Sequence, residues 1–477
     1  MKKTAVLTLL LLLFACPAFG EDGMVYEAEE AALKGGNKIV RDAAASQGAA
    51  VGSFERDEDT LAFLIKTPAD GAYDLVFTCK GIGGGKTNLV WVDGAQAGDF
   101  TCSGIVYEDA ALRGVMLTEG EHQVTVGKSW GWIYLDRLTV TPSRTVDESV
   151  YQVAPGLINP DAGAEALALY DTLRGYYGKA ILSGQFCSQG ADGPEMKAIY
   201  DLTGKYPAIL GLDMMDYSPA RAALGARSDA VERAVKYHAM GGIITFCWHW
   251  NAPTATLKEG KDANGNPRWW GGFYTDNTTF DFSRALSGEN PEEKAALEKD
   301  IAAIAGKLKE LESQGVPVLW RPLHEASGGW FWWGAQGPEA YKQLWVYLYD
   351  QLTNVYHCNN LIWVWNGQHP DWYPGDAYVD IIGEDIYASP HQYGSQQSKF
   401  MALTEYSSAP RIIALTENGV VPDPEACVQS GALWGWFCTW NGSFVVNGSR
   451  ISSEYTEAEQ LKRVYDSEYV ITLDELP

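Results

Sequence analysis

Two glutamates are set in surroundings that suit chemistry. Glu325 closes the run "WRPLHE" and is followed by "ASGGWFWWG", while Glu417 lies in "LTENG", 92 residues further on. A pair of carboxylates flanking a substrate is the equipment for cleaving a glycosidic bond. One arrives protonated and donates to the leaving oxygen; the other stays ionised and attacks the anomeric carbon. The two environments must therefore pull the acidities apart. The aromatic run at 330–333 would desolvate Glu325 and favour its neutral form, which makes it the acid/base. Polar neighbours, the Tyr387 hydroxyl and Arg321 would hold Glu417 charged, which makes it the nucleophile. Any one glutamate in so acidic a chain is far more often a solvated surface residue. The inference rests on the conjunction of strand end, partner and aromatic wall.

The same reasoning collects further residues at the ends of apolar runs: Asp213, His249, His324, Asp385 and Trp440. His249, in "CWHWNAP", borders a long irregular stretch and is read as a partner for a sugar hydroxyl. Tryptophans within apolar runs (Trp320, Trp363, Trp365, Trp434) are read as packing. Trp330, Trp440 and one of Trp269 or Trp270 fall at ends or loops, where a ring can stack on a sugar face.

Something must bring residues 325 and 417 together. From about residue 156 the chain alternates apolar runs with amphipathic stretches: "AILSG", "AILGLD", "IITFCWH", "VLWRPLHE", "LIWVWN", "VDIIGEDIY", "IIALTE" and "LWGWFCTW". Eight β/α units over roughly 320 residues predict a (β/α)8 barrel, whose functional groups gather at the C-terminal ends of the strands. Helices are expected near 226–240, 291–314, 338–356 and 455–466, the second opening with Pro and acidic residues as a helix N-terminus should. The stretch 251–285 is too long to be a plain connection and is read as functional. Residues 24–142 differ in texture: short alternating runs such as "AYDLVFTC" and "IYLDRLTV", separated by Gly- or Asp-rich turns, predict an all-β sandwich. The polar segment 143–155 is read as a linker, and 156–477 as the barrel.

The chain has 477 residues, enough for two domains. Its formal charge of −25 excludes a nucleic-acid partner and favours a neutral one. Residues 1–20 read as a secretory leader: Lys2 and Lys3 precede "AVLTLLLLLFA", with small residues at Ala18 and Gly20. That places the protein outside the cytoplasm, secreted or periplasmic, and "LFAC" leaves a lipid anchor at Cys16 open. No other stretch is long and apolar enough to span a bilayer. Seven further cysteines follow, an odd number; Cys79 with Cys102 is the natural pair, while Cys247 reads equally as a buried free thiol.

Taken together, "WRPLHE…GGWFWWG", "WHWNAP", "IWVWNGQHPDWYPGDAYVDIIGEDIY" and "LTENG" resemble glycoside hydrolase family 26, over residues 156 to 470. That family consists chiefly of retaining endo-β-1,4-mannanases on a (β/α)8 barrel. The resemblance implies Glu325 as acid/base and Glu417 as nucleophile, in agreement with the reading above. It implies substrate contacts from His249, His324, Trp330, Tyr387, Asp385 and Trp440, with Trp270 added from its loop position. Phe186 stands where many members have His, and Asn441 where some have Arg, so distal sugar preference is open. The N-terminal part resembles carbohydrate-binding module family 35, whose edge motifs are "YEAEEA" and "GWIYLDRLTV". This implies a structural Ca²⁺ held by Glu27, Glu29 and Asp136, and a ligand-facing ring at Trp130 or Trp132, unless one of these closes the sandwich core. Catalysis itself calls for no cofactor. The implied partner is β-mannan, met by a monomer; β-1,3-1,4-glucanase, β-1,3-xylanase or a non-catalytic polysaccharide binder are the rival readings.

Overall fold

A computed structural model describes residues 23–477, apart from 83–85, 103, 130–131 and 145. The chain divides into two compact units at Ser143/Arg144.

The first unit is built from two antiparallel sheets, as its alternating runs predict. One orders the strands Lys38–Arg41, Ala49–Gly52, Ile133–Pro142, Gly71–Gly81 and Glu108–Leu117, with Met24–Glu27 also paired to Ile133–Pro142. The other orders Ala32–Lys34, Thr60–Thr67, Gly120–Lys128, Lys86–Val92 and Ala95–Cys102. Inward-facing Leu61, Phe63, Leu75, Phe77, Val124 and Leu135 fill the space between them, the arrangement that period-2 patterning demands. Within "YEAEEA" only Tyr26 and Glu27 lie on a strand. Glu29 sits on a 3-10 turn, Ala28–Glu30, and Asp136 at a register shift between Leu135 and Arg137. Cys79 and Cys102 lie against each other but remain free thiols, as do the other five described cysteines, all buried. The expected pair is thus two neighbouring thiols in the sandwich core.

The second unit is a closed parallel barrel: β1 (Gly184–Phe186), β2 (Ile209–Asp213), β3 (Ile243–Trp248), β4 (Val318–Pro322), β5 (Leu361–Trp365), β6 (Ile381–Ile386), β7 (Ile412–Asn418) and β8 (Phe437–Thr439). The strands are buried along nearly their whole length, which is why they read as unbroken apolar runs. Two differ from expectation. Within "AILSG", Ile181–Leu182 pairs instead with Val470–Ile471, outside the barrel ring, and in "LWGWFCTW" only the last part is strand. Trp434 is buried all the same.

The helices fall close to where periodicity puts them: Ala230–His238, Pro291–Ser313, Pro338–Asp350 (extended by a π turn to Val355) and Ala458–Asp466. The Pro291–Ser313 helix starts where its sequence says it should. The Asn290 side chain accepts from the Glu293 N–H at 3.2 Å, Pro291 occupies the first turn, and Glu292 and Glu293 complement the helix dipole. Trp248, Trp320, Trp363, Trp365 and Trp436 are fully buried between the barrel and its helices; truncating any one to Ala should cost about 3–5 kcal/mol.

The segment read as a linker is not free. From Arg144 onward it belongs to the barrel unit. Val146 and Val153 are buried, the Tyr151 ring packs edge-on against Tyr177 at 4.9 Å, and its hydroxyl donates to Gly431 O and accepts from Leu433 N. Its polar composition conceals three well-spaced apolar anchors.

Candidate active site

The strand ends of β4 and β7 carry the two glutamates. β4 stops at Pro322, and the chain then turns through left-handed conformations at Leu323 (φ 51°) and Glu325 (φ 52°). Such backbone is costly for residues with a Cβ and persists only when neighbours hold it. Here the end of β5 does so: Glu325 N donates to Asn366 O at 2.7 Å and lies 3.2 Å from Asn366 Oδ1. Glu417 lies on β7 itself, almost wholly buried. The structure brings Glu325, Asp385 and Glu417 together, with one carboxylate oxygen of each within 4.8 Å of the others.

Three carboxylates so close would repel without a cation. Arg321, on β4 and 1% exposed, supplies it. Its Nη1 donates to Asp385 Oδ2 at 2.7 Å and its Nη2 to Glu417 Oε2 at 2.5 Å. Burial works against the guanidinium charge, but the Asp385 and Glu417 carboxylates more than offset it, and the group is held above the usual arginine range. Phe186, where a His was the alternative, lies under that guanidinium at 5.7 Å. The remaining oxygen of Glu417 accepts from the Tyr387 hydroxyl. Burial and the Glu417 charge push the Tyr387 phenol far up, so it remains a donor.

Glu325 is treated differently. Removal from water and, second, the nearby Glu417 charge push it up to about 7. Arg321 and the Trp330 indole, which donates to Glu325 Oε2 at 3.1 Å, oppose that shift. One carboxyl is thus prepared to carry a proton near neutral pH, and its neighbour is complemented by a cation and a phenol. Such a pair can donate a proton to a leaving group and attack the carbon left behind.

The other expected residues divide. Trp330 (45% exposed) and Trp270 (54%) present open rings, with Tyr387 and Tyr274 also exposed. Trp440 is half-buried, packed on Phe186 at 4.8 Å and near His249 at 5.9 Å. The long stretch 251–285 is tied to the Trp330 loop: Thr275 N donates to Trp330 O at 2.8 Å and Thr275 Oγ1 to Gly329 O at 3.0 Å. His249 borders the same space, its Nδ1 on Asp213 Oδ2 at 2.6 Å.

Two residues expected to touch substrate do not have the exposure for it. The His324 ring is buried among Phe331, Trp333 and His249, its Nε2 3.3 Å from His249 Nε2. Burial, then the Arg321 charge, hold it well below the usual imidazole range, so it is neutral. Asp385 has no exposed side-chain surface and is consumed by Arg321, Asn366 Nδ2 (2.8 Å) and Thr416 Oγ1 (2.8 Å). Both support the site from beneath. Asn366 had no role in the sequence reading although it ends an apolar run as the others do; it links Glu325, Asp385 and Thr416. Asp213, noted only as a strand end, orients His249. For Phe331, Trp332 and Trp333 the outcome is burial. In the first unit Trp132 is 54% exposed, whereas Trp130 lies outside the described residues.

Comparison with known proteins agrees with this construction. The profile of glycosyl hydrolase family 26 matches residues 158–475, and that of carbohydrate binding module family 35 matches residues 24–143. A mannan endo-1,4-beta-mannosidase of Thermothelomyces thermophilus is 41% identical, over 94% of this chain and 90% of its own. Mannan endo-1,4-beta-mannosidase B of Piromyces sp is 35% identical, over 99% and 80%. The crystal structure of a Podospora anserina GH26-CBM35 beta-(1,4)-mannanase superposes with a TM-score of 0.66 at 38% identity, covering 95% of this chain and 99% of that one. With a family match over most of the barrel unit and a paired-carboxylate centre at its strand ends, the chain belongs to glycosyl hydrolase family 26: it is a glycoside hydrolase with a family 35 carbohydrate-binding module at its N-terminal side.

Proposed function

We propose that this enzyme hydrolyses β-1,4-mannan, galactomannan and glucomannan internally, with retention of anomeric configuration. The observation that carries the mechanism is the carboxylate pair: Glu325 and Glu417 oxygens within 4.8 Å, in environments of opposite character. Retaining glycosidases space their carboxyl groups at about 5–5.5 Å, and inverting ones at about 6.5–9.5 Å, to leave room for water. In the first step Glu417 attacks the anomeric carbon while the Glu325 proton passes to the glycosidic oxygen. The C1–O bond breaks and a mannosyl ester forms on Glu417. In the second step Glu325, now a carboxylate, takes a proton from water; the water oxygen attacks the same carbon and frees Glu417. Arg321 and Tyr387 hold the nucleophile in place, and His249, Trp330, Trp440 and Trp270 line the path of the chain.

The substrate assignment draws on the mannanase relatives at 41% and 35% identity, which favour mannan over mixed-linkage glucan or β-1,3-xylan. Digestion of mannopentaose in ¹⁸O-labelled water, with the first products followed by proton NMR, tests cut position and stereochemistry together. An α-configured first product, or hydrolysis of lichenan or β-1,3-xylan faster than mannan, would sink the reading.

For the binding module we propose a structural Ca²⁺ at Glu27, Glu29 and Asp136. Glu27 Oε2 and Asp136 Oδ1 both face the single Ser46 hydroxyl, at 2.7 and 2.9 Å, and Glu29 Oε2 is buried without a partner. Carboxylate oxygens are the hard ligands Ca²⁺ takes, and Glu27 and Asp136 bring two of them to one hydroxyl. Glu27, Glu29 and Asp136 would hold it as a structural ion and leave catalysis untouched. Trp132 is the ring offered to the module's ligand. The leader at 1–20 supports export to the periplasm or medium, with anchoring at Cys16 as the alternative; both lie outside the described residues. No described helix is long and apolar enough to cross a membrane, and the enzyme acts as a monomer in this reading.

A further inference from the structure

Beside the carboxylate centre lies a second cluster of different chemistry. Asp213 ends β2, Cys247 lies on β3 and His249 follows it. One ligand atom of each lies within 4.8 Å of the others. They contact one another, while Cys247 Sγ also donates to Leu212 O at 3.7 Å and Asp213 Oδ1 accepts from the N–H groups of Met215 (2.8 Å) and His249 (3.1 Å). His249 Nδ1 is 2.6 Å from Asp213 Oδ2 and 3.9 Å from Cys247 Sγ, and the thiol also faces the Asp213 carboxylate. No step of glycoside hydrolysis uses the thiol. We propose that Asp213, Cys247 and His249 form a site for one borderline divalent cation, Zn²⁺ or Cu²⁺, whose occupation inhibits the enzyme.

The donor set selects the ion. A thiolate, an imidazole and a carboxylate are the ligands of Zn²⁺ and Cu²⁺, whereas Ca²⁺ and Mg²⁺ take oxygen. Charge favours the same choice: a 2+ ion with the Asp213 carboxylate and the Cys247 thiolate sums to zero, so the buried site carries no net charge. The protons also balance. The carboxylate facing His249 Nδ1 fixes the imidazole proton there. On binding, that proton moves to Nε2, and the proton of neutral His324 shifts from its Nε2, 3.3 Å away, to its Nδ1, so that His324 Nε2 accepts from His249. The thiol proton is released to solvent, and the cation takes Sγ, Nδ1 and a carboxylate oxygen.

Cys247 is wholly buried, but the His249 side chain is 12% exposed and that of Asp213 19%. The cation therefore enters from the cleft, past the ring of Phe273 and that of Trp440. Occupation puts a proton on His249 Nε2 in place of a lone pair, and so changes what His249 offers a sugar at the cleft wall. That inhibitory half rests on the function proposed above; binding of the ion does not.

Cobalt separates the two halves. Titrating the intact enzyme with Co²⁺ alone should raise a near-ultraviolet thiolate-to-metal band that saturates at one equivalent. The band should vanish in Cys247→Ser and survive in Cys438→Ala, which removes another buried barrel thiol. Zn²⁺ should inhibit mannan hydrolysis by the wild type, with Cys247→Ser at least about tenfold more resistant and as active as wild type without metal. Should Cys247→Ser fail to fold, His249→Ala answers the binding question, because loss of the nitrogen ligand should weaken Co²⁺ binding by about tenfold or more. Absence of the band, or a band that survives Cys247→Ser or is unweakened in His249→Ala, overturns the site. A band without Zn²⁺ inhibition keeps the site and overturns its inhibitory role.

Discussion

Arg321 Nη2 stands 2.5 Å from Glu417 Oε2 while its Nη1 reaches Asp385 Oδ2 at 2.7 Å. One buried cation thus joins β4 to β6 and β7 beneath the two reacting carboxyl groups. It lets Asp385 and Glu417 sit beside Glu325 without driving the three strand ends apart.

The two glutamates should separate kinetically. Glu417→Ala should abolish hydrolysis of every substrate. Glu325→Ala should lose about 10²–10⁴-fold on mannan but much less on an aryl mannoside whose leaving group needs no proton. Azide should restore turnover in Glu325→Ala and yield β-mannosyl azide. Equal losses on both substrates would remove Glu325 from the acid/base role.

The pH profile follows from the acidity of Glu325. Its carboxyl is raised to about 7 by burial and the Glu417 charge. The first step needs the protonated form, so kcat/KM should fall as pH rises through about 7. Trp330→Phe removes a donor that favours the charged form, so the alkaline limb should move up. A limb that stays in place would show that the indole N–H does not set the acidity.

Gly328 makes room for Trp330. A Cβ at 328 would lie 2.0 Å from Trp330 Cζ3, so Gly328→Ala must displace the ring from both the cleft and Glu325. The expected result is a fall in kcat/KM of about tenfold or more with little change in thermal stability, measured by steady-state kinetics and calorimetry.

Tyr387→Phe keeps the ring and removes the hydroxyl donated to Glu417. It should lower kcat by about 10²-fold if the contact strengthens in the transition state, with KM little altered. A change confined to KM would assign Tyr387 to substrate binding alone.

Asn290→Ala tests the helix that leads into β4. Loss of the cap to Glu293 N should cost about 1 kcal/mol, seen as a lower midpoint in urea with an unchanged slope. Activity at 25 °C should not change.

Eight apolar runs in order imply a closed parallel barrel, because strands covered on both faces have no polar side to show. Glu325 and Glu417 were visible because each ends such a run, and the barrel places those ends at one face. The aromatic loop after Glu325 was equally plain. Depth was not. His324 and Asp385 end runs just as Glu325 does, yet a turn of backbone or one register step sends the side chain under the floor. Asn366 ends an apolar run too, but neither it nor Thr416 shows in the sequence what it does, which is to satisfy groups 19 to 50 residues away. The docking of 144–153 rests on three apolar anchors in a polar segment, too sparse for periodicity to register.

The sequence by itself therefore determined the architecture, the two carboxylates and the rings around them, because patterning and residue chemistry are local properties. Tertiary structure alone decided which polar groups meet. Arg321 lies between two carboxylates, Trp330 donates to the acid, His249 is shared by Asp213 and Cys247, and Cys79 and Cys102 stand as neighbouring thiols. Such partnerships join residues remote in sequence, and their energies depend on distances and burial that no spacing along the chain encodes.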